Sequence, residues 1–353
     1  MNAFINGTNS RLQTSRLGLG TMNFGANVDK ATAAELLDMA LDHGVNLVDT
    51  AETYPFPPTA EYHGLSESFI GSWLNKSRKR NEIALIGKIA GPSPHLDYLR
   101  DGSLSFDEQN INASVEQSLK RLQTDYLDIV LLHWPERATN TLGQLDYKPA
   151  RKETSQSLIH DRIELALVAL DKVLKAGKIR AYGISNETPW GVMRFLSYAE
   201  QLGLSKPAVL QQRYSLLDRS FDIGLAEVAH REDLGVISYS PLAFGLLSHQ
   251  AHSEKEFRPG PRLSQTRKLH RYLHTNCVHA AKQYYELACD RGLDLSQMAI
   301  AYLLTRGYVT SVLIGASNKN QLAQNLGALN IRLDRNTLKA IDDIHHQRPN
   351  PCL

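Results

Sequence analysis

The sequence has few of the features that mark disulfide-stabilised, zinc-stabilised or nucleic-acid-binding proteins. Its 353 residues include three cysteines, Cys277, Cys289 and Cys352, an odd number without CxxC spacing. This pattern argues against a disulfide framework and against a structural zinc site. The 39 basic and 37 acidic residues leave a formal charge of +2. Such a small excess does not favour binding to a phosphate backbone or to an anionic membrane surface.

Long apolar runs are also missing. The chain has no stretch of about 18 apolar residues that could span a bilayer, and it does not begin with a basic and then apolar signal segment. We therefore expect a cytoplasmic protein that binds small molecules rather than nucleic acid or membrane. The sequence leaves any oligomeric partner unknown. No linker or low-complexity segment divides residues 1–353, so a single domain is expected.

Short apolar segments recur along the chain, and each closes on a polar or small residue. The eight segments are residues 16–21, 45–50, 83–88, 128–133, 180–186, 208–212, 235–240 and 311–317. Segments with helical periodicity alternate with them. The clearest of these are residues 30–44, 107–122, 161–178, 190–203 and 296–307. The chain is therefore predicted to alternate between strand and helix throughout.

Continuous apolar strands are typical of a parallel sheet that helices cover on both faces. Eight strand and helix units predict an α/β fold of the (β/α)8 TIM-barrel type. The alternative is a doubly wound sheet, but residues 18–25, GLGTMNFG, do not form its GxGxxG fingerprint. Three additions to the barrel are predicted. Residues 242–275 should form a long loop after the seventh strand, followed by an extra helix at 274–292, and another extra helix should lie near the C-terminus.

Four reactive side chains fall at or just after the ends of three consecutive predicted strands. Asp49 closes the second strand, Lys88 the third and His133 the fourth, while Tyr54 lies among prolines in the loop after the second. All strands of a parallel barrel end at the same face, so these side chains are predicted to converge. Each also has a structural explanation: a turn cap, a lysine extended to solvent, a core histidine or a loop anchor.

A converged set of this kind permits proton transfer from a phenol. An ordinary tyrosine has a pKa of about 10 and is a poor acid at neutral pH. A lysine ammonium beside Tyr54 would favour the phenolate, and Asp49 would keep Lys88 charged and oriented. His133 would hydrogen-bond a carbonyl oxygen. The sequence offers no nucleophile paired with a base and no two-histidine metal spacing, so neither hydrolysis nor metal catalysis is expected.

Reduction of a carbonyl also requires a hydride donor, and the remaining strand ends are suited to a nicotinamide dinucleotide. Ser185, Asn186 and Gln211 carry groups that could hydrogen-bond a carboxamide. Tyr214 and Tyr239 are candidates either for stacking on the nicotinamide or for simple packing. Residues 313–325 run from an apolar strand into a helix, whose N-terminus would attract an anion.

The motifs of the chain resemble those of the aldo-keto reductases from end to end. The matching segments are residues 17–25, 48–54, 86–88, 127–135, 177–186, 211–219, 239–248 and 312–325. Further segments look most similar to the bacterial Tas-type branch of that family, namely residues 54–58, 118–128, 184–188 and 221–228. This branch is also similar to the β-subunits of voltage-gated potassium channels.

The resemblance implies a barrel that reduces aldehydes or ketones to alcohols with NADPH, giving NADP+, and without a metal. It implies Asp49, Tyr54, Lys88 and His133 as the catalytic residues, with Tyr54 as the proton donor. The implied cofactor contacts are Gly20, Thr21, Met22, Asp49, Ser185, Asn186, Gln211, Tyr239, Ser240, Pro241, Leu242, Ala243, Phe244, Gly245, Gly315, Ser317, Gln321, Gln324 and Asn325. The channel β-subunits suggest an alternative, a module that binds a dinucleotide as a redox signal with little turnover.

Two positions depart from the family pattern at the adenosine end. Gln324 stands where the family commonly has Glu, and Gln321 stands where many members have Arg. Arg258 and Arg262, in the predicted loop after the seventh strand, are candidates to supply the missing positive charge to the cofactor phosphates. The alternative is a solvated basic loop.

The wall of the carbonyl pocket is predicted to come from Met22, Phe24, residues 54–58, Trp134 and the long loop. Trp190, at the start of a predicted helix, is expected in the core.

Overall fold

Eight parallel strands form a closed barrel in the computed structural model, which describes residues 2–6, 11–140, 146–148, 156–252 and 267–352. Two further strands, β1 (Asn2–Asn6) and β2 (Arg11–Ser15), form an antiparallel hairpin. The barrel strands are β3 (Leu17–Gly20), β4 (Leu47–Asp49), β5 (Ala84–Ile89), β6 (Leu127–Leu132), β7 (Ile179–Ser185), β8 (Val209–Arg213), β9 (Gly235–Tyr239) and β10 (Val309–Ile314). They follow one another in chain order, and β10 pairs with β3 to close the ring.

Helices alternate with the barrel strands. They are α1 (Lys30–Asp42), α2 (Leu65–Ser77), α3 (Glu108–Leu122), α4 (Gln156–Lys175), α5 (Pro189–Gln201), α6 (Leu225–Arg231), α7 (Thr275–Asp290), α8 (Leu295–Thr305), α9 (Lys319–Leu326) and α10 (Arg335–Gln347). The predicted (β/α)8 TIM barrel is thus confirmed, with α7 after the seventh barrel strand and α10 near the C-terminus. In the described part of the chain, no helix combines the length and the apolar character that a membrane crossing requires.

The barrel strands bury side chains on both faces, which explains their continuous apolar sequences. One set fills the interior of the barrel and includes Leu47, Ile86 and Ile129. The alternate residues, such as Val48 and Leu85, pack outward against the helices. Because successive side chains of a strand point to opposite faces, each strand needs apolar residues at nearly every position.

The N-terminal hairpin was not predicted. Its Ile5 is fully buried and packs into the interior cluster of the barrel, beside residues such as Val209 and Ile237. A signal was present in the sequence, because residues 7–10, Gly-Thr-Asn-Ser, have the composition of a turn between two short strands.

The eight predicted strands are all found, with ends that differ by at most three residues. Two helices, α2 and α6, were overlooked. Helix α2 follows a polar loop that contains three prolines, and only the spacing of buried Ile70, Trp73 and Leu74 indicates it. The predicted loop 242–275 contains short 3-10 turns at 243–245, 249–251 and 267–273, and residues 253–266 lie outside the described part.

Candidate active site

The carboxyl ends of β4 and β5 bring Asp49 and Lys88 together inside the barrel mouth. Both are almost fully buried, at 3% and 2% exposure. Lys88 Nζ donates to Asp49 Oδ2 at 2.5 Å and to the carbonyl oxygen of Thr50 at 2.8 Å. The predicted pair therefore exists as a buried, hydrogen-bonded salt bridge rather than as a capped turn and a solvated lysine.

Tyr54 lies over this pair. Its hydroxyl is 3.4 Å from Lys88 Nζ, and Nζ is 4.8 Å from the centre of its ring. The tyrosine is presented by a short turn in which its backbone N–H bonds Ala51 O at 3.1 Å. The next turn of the loop is tied to the segment that follows the first barrel strand, because Phe56 N–H donates to Met22 O at 3.1 Å. The loop thus holds the phenol next to the ammonium.

Burial and charge act in opposite directions on Lys88. Desolvation lowers the pKa of Lys88, and the carboxylate of Asp49 opposes this effect. Glu67 adds a smaller contribution of the same sign as Asp49. The ammonium form of Lys88 therefore depends on its contact with Asp49.

His133 follows β6 and faces the same region. Its ring is 5.9 Å from that of Tyr54 in an edge-on arrangement, and 4.8 Å from that of Trp134. Burial lowers the pKa of His133 well below its usual value, and the nearby charge of Lys88 lowers it further. The imidazole is thus neutral at neutral pH. Among the described residues, its buried Nδ1 has no hydrogen-bond partner.

Asn186 connects three strand ends. Its side-chain N–H groups donate to His133 O at 2.9 Å and to Ser185 Oγ at 3.1 Å, and its Oδ1 accepts from Tyr239 OH at 2.5 Å. Its backbone has a φ of 57°, a left-handed conformation that Asn tolerates better than most residues. Both amide N–H groups of Asn186 are therefore bound to protein atoms, and Ser185 keeps its own hydroxyl proton.

Gln211 reaches the same site from β8. Its Nε2 donates to Asp49 Oδ1 at 2.7 Å, so the two carboxylate oxygens of Asp49 bind two different donors. The two candidate stacking tyrosines differ. Tyr214 is 1% exposed and its hydroxyl contacts Asp222 Oδ1 at 2.7 Å, in the packed region outside the barrel. Tyr239 is only partly buried and lies beside Asn186.

The sequence of the chain also matches a known protein family. The family model described as aldo/keto reductase family matches residues 16–346. The chain belongs to the aldo/keto reductase family. It is therefore an oxidoreductase. It is 39% identical over 343 residues to Protein tas of Escherichia coli strain K12, covering 97% of each chain.

Other relatives of this aldo/keto reductase are more distant. It is 34% identical over 253 residues to a protein of Babesia bovis named Aldo-keto reductase, covering 70% of this chain and 89% of that one. It is 30% identical over 338 residues to the uncharacterized oxidoreductase YrpG of Bacillus subtilis strain 168, covering 94% and 93%. The resemblance to the family and to its Tas-type branch is thus confirmed.

In this aldo/keto reductase, the residue that follows the first barrel strand contacts the backbone of Asp49. Thr21 is fully buried, and its Oγ1 donates to Asp49 O at 2.9 Å. Ser66, at the start of α2, donates to Thr21 Oγ1 at 2.8 Å. Gly20 and Met22 flank this residue. The side chain of Thr21 is therefore used inside the protein.

The segment after β9 turns sharply. Four of its residues have positive φ, namely Ser240 (56°), Ala243 (46°), Phe244 (58°) and Gly245 (97°). Pro241 and Leu242 complete the predicted cofactor segment. Phe244 packs on Tyr272 with ring centres 5.3 Å apart, which fixes the segment against the residues that precede α7.

The residues predicted at the adenosine end surround the start of α9. Asn325 donates to Gly315 O at 3.1 Å, and Gln321 Oε1 accepts from Ser317 N at 2.8 Å. Gln324 instead donates to Asp294 Oδ2 at 2.7 Å, so its amide is directed to α8. Arg258 and Arg262 lie outside the described residues.

A cavity of about 530 Å³ lies beside the site, behind Ser185 and between α4 and α5. Trp134, predicted in the carbonyl pocket, lines it, as do Arg137 and Trp190, whereas Tyr54, Lys88 and His133 do not. The prediction that Trp190 lies in the core was wrong. Trp190 is 42% exposed, and the guanidinium of Arg137 lies 4.8 Å from its ring centre.

Sequence reasoning missed one polar residue of the site, Glu52. It lies in the loop between Asp49 and Tyr54, is 1% exposed and forms a salt bridge with Arg100. Its position inside the motif DTAETY was the available signal. Its partner lies 48 residues away in an irregular segment, and no periodic pattern indicates that contact.

Proposed function

We propose that this oxidoreductase reduces aldehydes or ketones to alcohols with NADPH, and that Tyr54 is the proton donor. The observation that carries the proposal is the contact of the Tyr54 hydroxyl with Lys88 Nζ at 3.4 Å, while Nζ is held by Asp49 at 2.5 Å. A phenol next to a buried ammonium can release a proton more readily than one in water.

The donor set at the barrel mouth fits a nicotinamide carboxamide. Ser185 accepts from Asn186, so its own proton is available to a carboxamide oxygen. The amide nitrogen of Gln211 is bound to Asp49, which leaves its oxygen as an acceptor for a carboxamide N–H. At Gly315, an added Cβ would meet no atom within 4 Å, so the backbone here is open to a ligand. When bound, NADPH would supply the hydride.

The roles of the protein groups follow from their charges. Tyr54 would donate its proton to the carbonyl oxygen, and the Lys88 ammonium would stabilise the phenolate that remains. Asp49 would keep Lys88 charged against the cost of burial. His133, neutral because of its lowered pKa, would donate one hydrogen bond to the carbonyl oxygen from Nε2 and so orient it.

The test is the loss of NADPH absorbance when the protein is mixed with excess NADPH and a panel of aldehydes and ketones. We expect many turnovers per protein molecule, with an alcohol as the product. Oxidation of about one equivalent of cofactor without turnover would support a redox-sensing module instead. No oxidation with any carbonyl, despite measurable NADPH binding, would overturn the proposed reaction.

A further inference from the structure

The loop that carries Tyr54 is anchored by a residue that has no place in the proposed chemistry. Glu52 lies two residues before Tyr54 and is almost completely buried. Its carboxylate binds Arg100 with both oxygens, Oε2 to Nη1 at 2.6 Å and Oε1 to Nη2 at 3.1 Å. A bidentate pair of this kind fixes both distance and orientation.

The same carboxylate also holds the end of β5. Its Oε1 accepts the backbone N–H of Ala90 at 2.6 Å, and Arg100 Nη2 donates to the carbonyl oxygen of Ala90 at 3.2 Å. Ala90 comes two residues after Lys88. The pair of Glu52 and Arg100 therefore binds both backbone polar groups of the residue at which β5 leaves the barrel.

These contacts join the three segments that carry the proposed catalytic groups. The loop 50–54 bears Tyr54, and β5 bears Lys88. The segment bearing His133 is attached to the same point of β5, because His133 N–H donates to Ile89 O at 2.9 Å. A shift of Glu52 would thus change the separation of Tyr54 from Lys88 and the angle at which it meets His133.

Arg100 is itself held in a fixed position. Its Nε donates to Asn110 Oδ1 at 2.9 Å, at the start of α3. Arg100 and Asp101 have φ values of 45° and 53°, a conformation that non-glycine residues adopt only when their surroundings require it. The guanidinium that binds Glu52 is therefore also attached to α3.

Resting on the proposed function above, we propose that Glu52 and Arg100 are positioning residues for the carbonyl reduction. They set the distance and orientation of the Tyr54 hydroxyl relative to Lys88 and His133. Neither touches the reacting atoms. Their effect is on the geometry of the transition state, where a displacement of about 1 Å can cost up to a hundredfold in rate.

The chain contains a matched control at the opposite end of β5. Asp128 is 1% exposed, accepts the backbone N–H of Leu85 at 2.9 Å and pairs with Arg80 at 2.8 Å. Its carboxylate thus binds a strand N–H and an arginine, as that of Glu52 does, and it also pairs with Arg180 at 3.1 Å, but it lies at the opposite end of the barrel. A purely structural role for Glu52 predicts that the two carboxylates behave alike.

The experiment compares Glu52→Gln, Arg100→Lys, their double variant and Asp128→Asn with the wild type. Steady-state reduction of an aldehyde, NADPH binding, melting temperature and hydrogen exchange of the peptide covering residues 50–58 are measured.

For Glu52→Gln and Arg100→Lys we expect kcat to fall about tenfold or more, with NADPH affinity nearly unchanged and faster exchange in that peptide. The double variant should be no worse than the more impaired single variant, because both break one unit. Asp128→Asn should lower the melting temperature without changing kcat.

An outcome in which Glu52→Gln lowers the melting temperature like Asp128→Asn, but leaves kcat and exchange at 50–58 unchanged, would overturn the positioning role. If Glu52→Gln is too unstable to study, Arg100→Lys alone decides, since it keeps the charge and alters only the geometry. A wild type that reduces no carbonyl would count against the proposed function, whereas exchange at 50–58 would still report on the positioning pair.

Discussion

Gln211 donates its side-chain amide to Asp49 at the mouth of the barrel, with Nε2 2.7 Å from Oδ1. The second oxygen of the same carboxylate accepts from Lys88 Nζ at 2.5 Å. A buried carboxylate stays charged only when donors or positive charges surround it. Gln211, on β8, therefore helps to maintain the ammonium of Lys88, on β5, through the shared Asp49.

This relationship predicts the effect of Gln211→Glu. The change keeps the shape but replaces an N–H donor by a second carboxylate next to Asp49. At neutral pH the two ionised carboxylates would repel each other and displace Asp49 from Lys88, whereas the introduced side chain, once protonated, could donate to Asp49 as Gln211 does. We expect turnover at neutral pH to fall at least about tenfold, with partial recovery at lower pH.

The neighbouring Gln212→Glu is the matched control. Gln212 donates to Glu187 O at 2.5 Å and does not contact Asp49. It should lower stability while leaving the pH profile of turnover as in the wild type. If both variants change turnover equally, the contact of Gln211 with Asp49 does not matter for the reaction.

Tyr54→Phe removes the phenolic proton and keeps the ring. We expect kcat to fall by about 10²-fold or more, because general acid catalysis contributes on that order, while NADPH affinity changes little. Lys88→Met should have a comparable effect, since the ammonium next to the phenol is lost. Lys172→Met serves as the control, because Lys172 pairs with Glu108 on the exposed surface. Unaltered turnover in Tyr54→Phe would remove this residue from the mechanism.

His133 should make the protein sensitive to acid. Its pKa is lowered in the folded state, so below about pH 6.5 the unfolded chain binds a proton that the folded protein does not. The contribution of neutral His133 to the free energy of unfolding is thus fully present above that pH and is lost as the pH falls below it. The free energy of unfolding should decrease between about pH 7.5 and about pH 5.5 in both proteins. The decrease should be smaller in His133→Gln than in the wild type, by up to about 1.4 kcal/mol.

His345→Gln separates this effect from catalysis. Burial lowers the pKa of His345 to about 4, and its Nδ1 also lacks a partner among the described residues. It should therefore reduce acid sensitivity in the same direction but leave turnover intact, whereas His133→Gln should reduce turnover. Denaturant unfolding at both pH values checks the prediction. An equal pH response of His133→Gln and the wild type would contradict the buried, neutral imidazole.

The convergence of Asp49, Tyr54, Lys88 and His133 could be predicted because a parallel barrel places all strand ends at one face. Those positions depend only on where strands end, which the apolar runs show. The contact of Glu52 with Arg100 could not be predicted, because it depends on the path of an irregular segment. The directions of the Tyr214 and Tyr239 side chains could not be predicted either. A shift of one residue in the strand position moves a side chain to the other face of the sheet.

From their positions we propose that Tyr239, rather than Tyr214, stacks on the nicotinamide. Tyr239→Phe keeps the ring and removes only the bond to Asn186, so NADPH affinity should change less than about threefold, whereas Tyr239→Leu should weaken it about tenfold by removing a stacking surface. Tyr214→Phe loses the bond to Asp222 and should lower the melting temperature without changing NADPH affinity. Fluorescence titration with NADPH measures the binding. Weaker binding in Tyr214→Phe than in Tyr239→Leu would reverse the assignment.

A preference for NADPH over NADH would require positive charge near the 2′-phosphate. At the start of α9, Lys319 pairs with Glu35 at 3.0 Å, and Gln321 is bound to the backbone of Ser317. The charge of Lys319 is thus partly neutralised, and Gln321 has none. We therefore predict that Arg262 supplies the missing charge, although it lies outside the described residues.

Arg262→Ala should weaken NADPH binding roughly tenfold to a hundredfold, the range expected for one charge-assisted hydrogen bond, and should change NADH binding little. Lys319→Ala is the control. It should change both affinities by less than about threefold, because the exposed ion pair of Lys319 with Glu35 contributes little free energy. Titration of each variant with both cofactors measures the four constants directly. An equal loss for NADPH and NADH in Arg262→Ala, or tighter NADH binding by the wild type, would show that Arg262 does not recognise the phosphate.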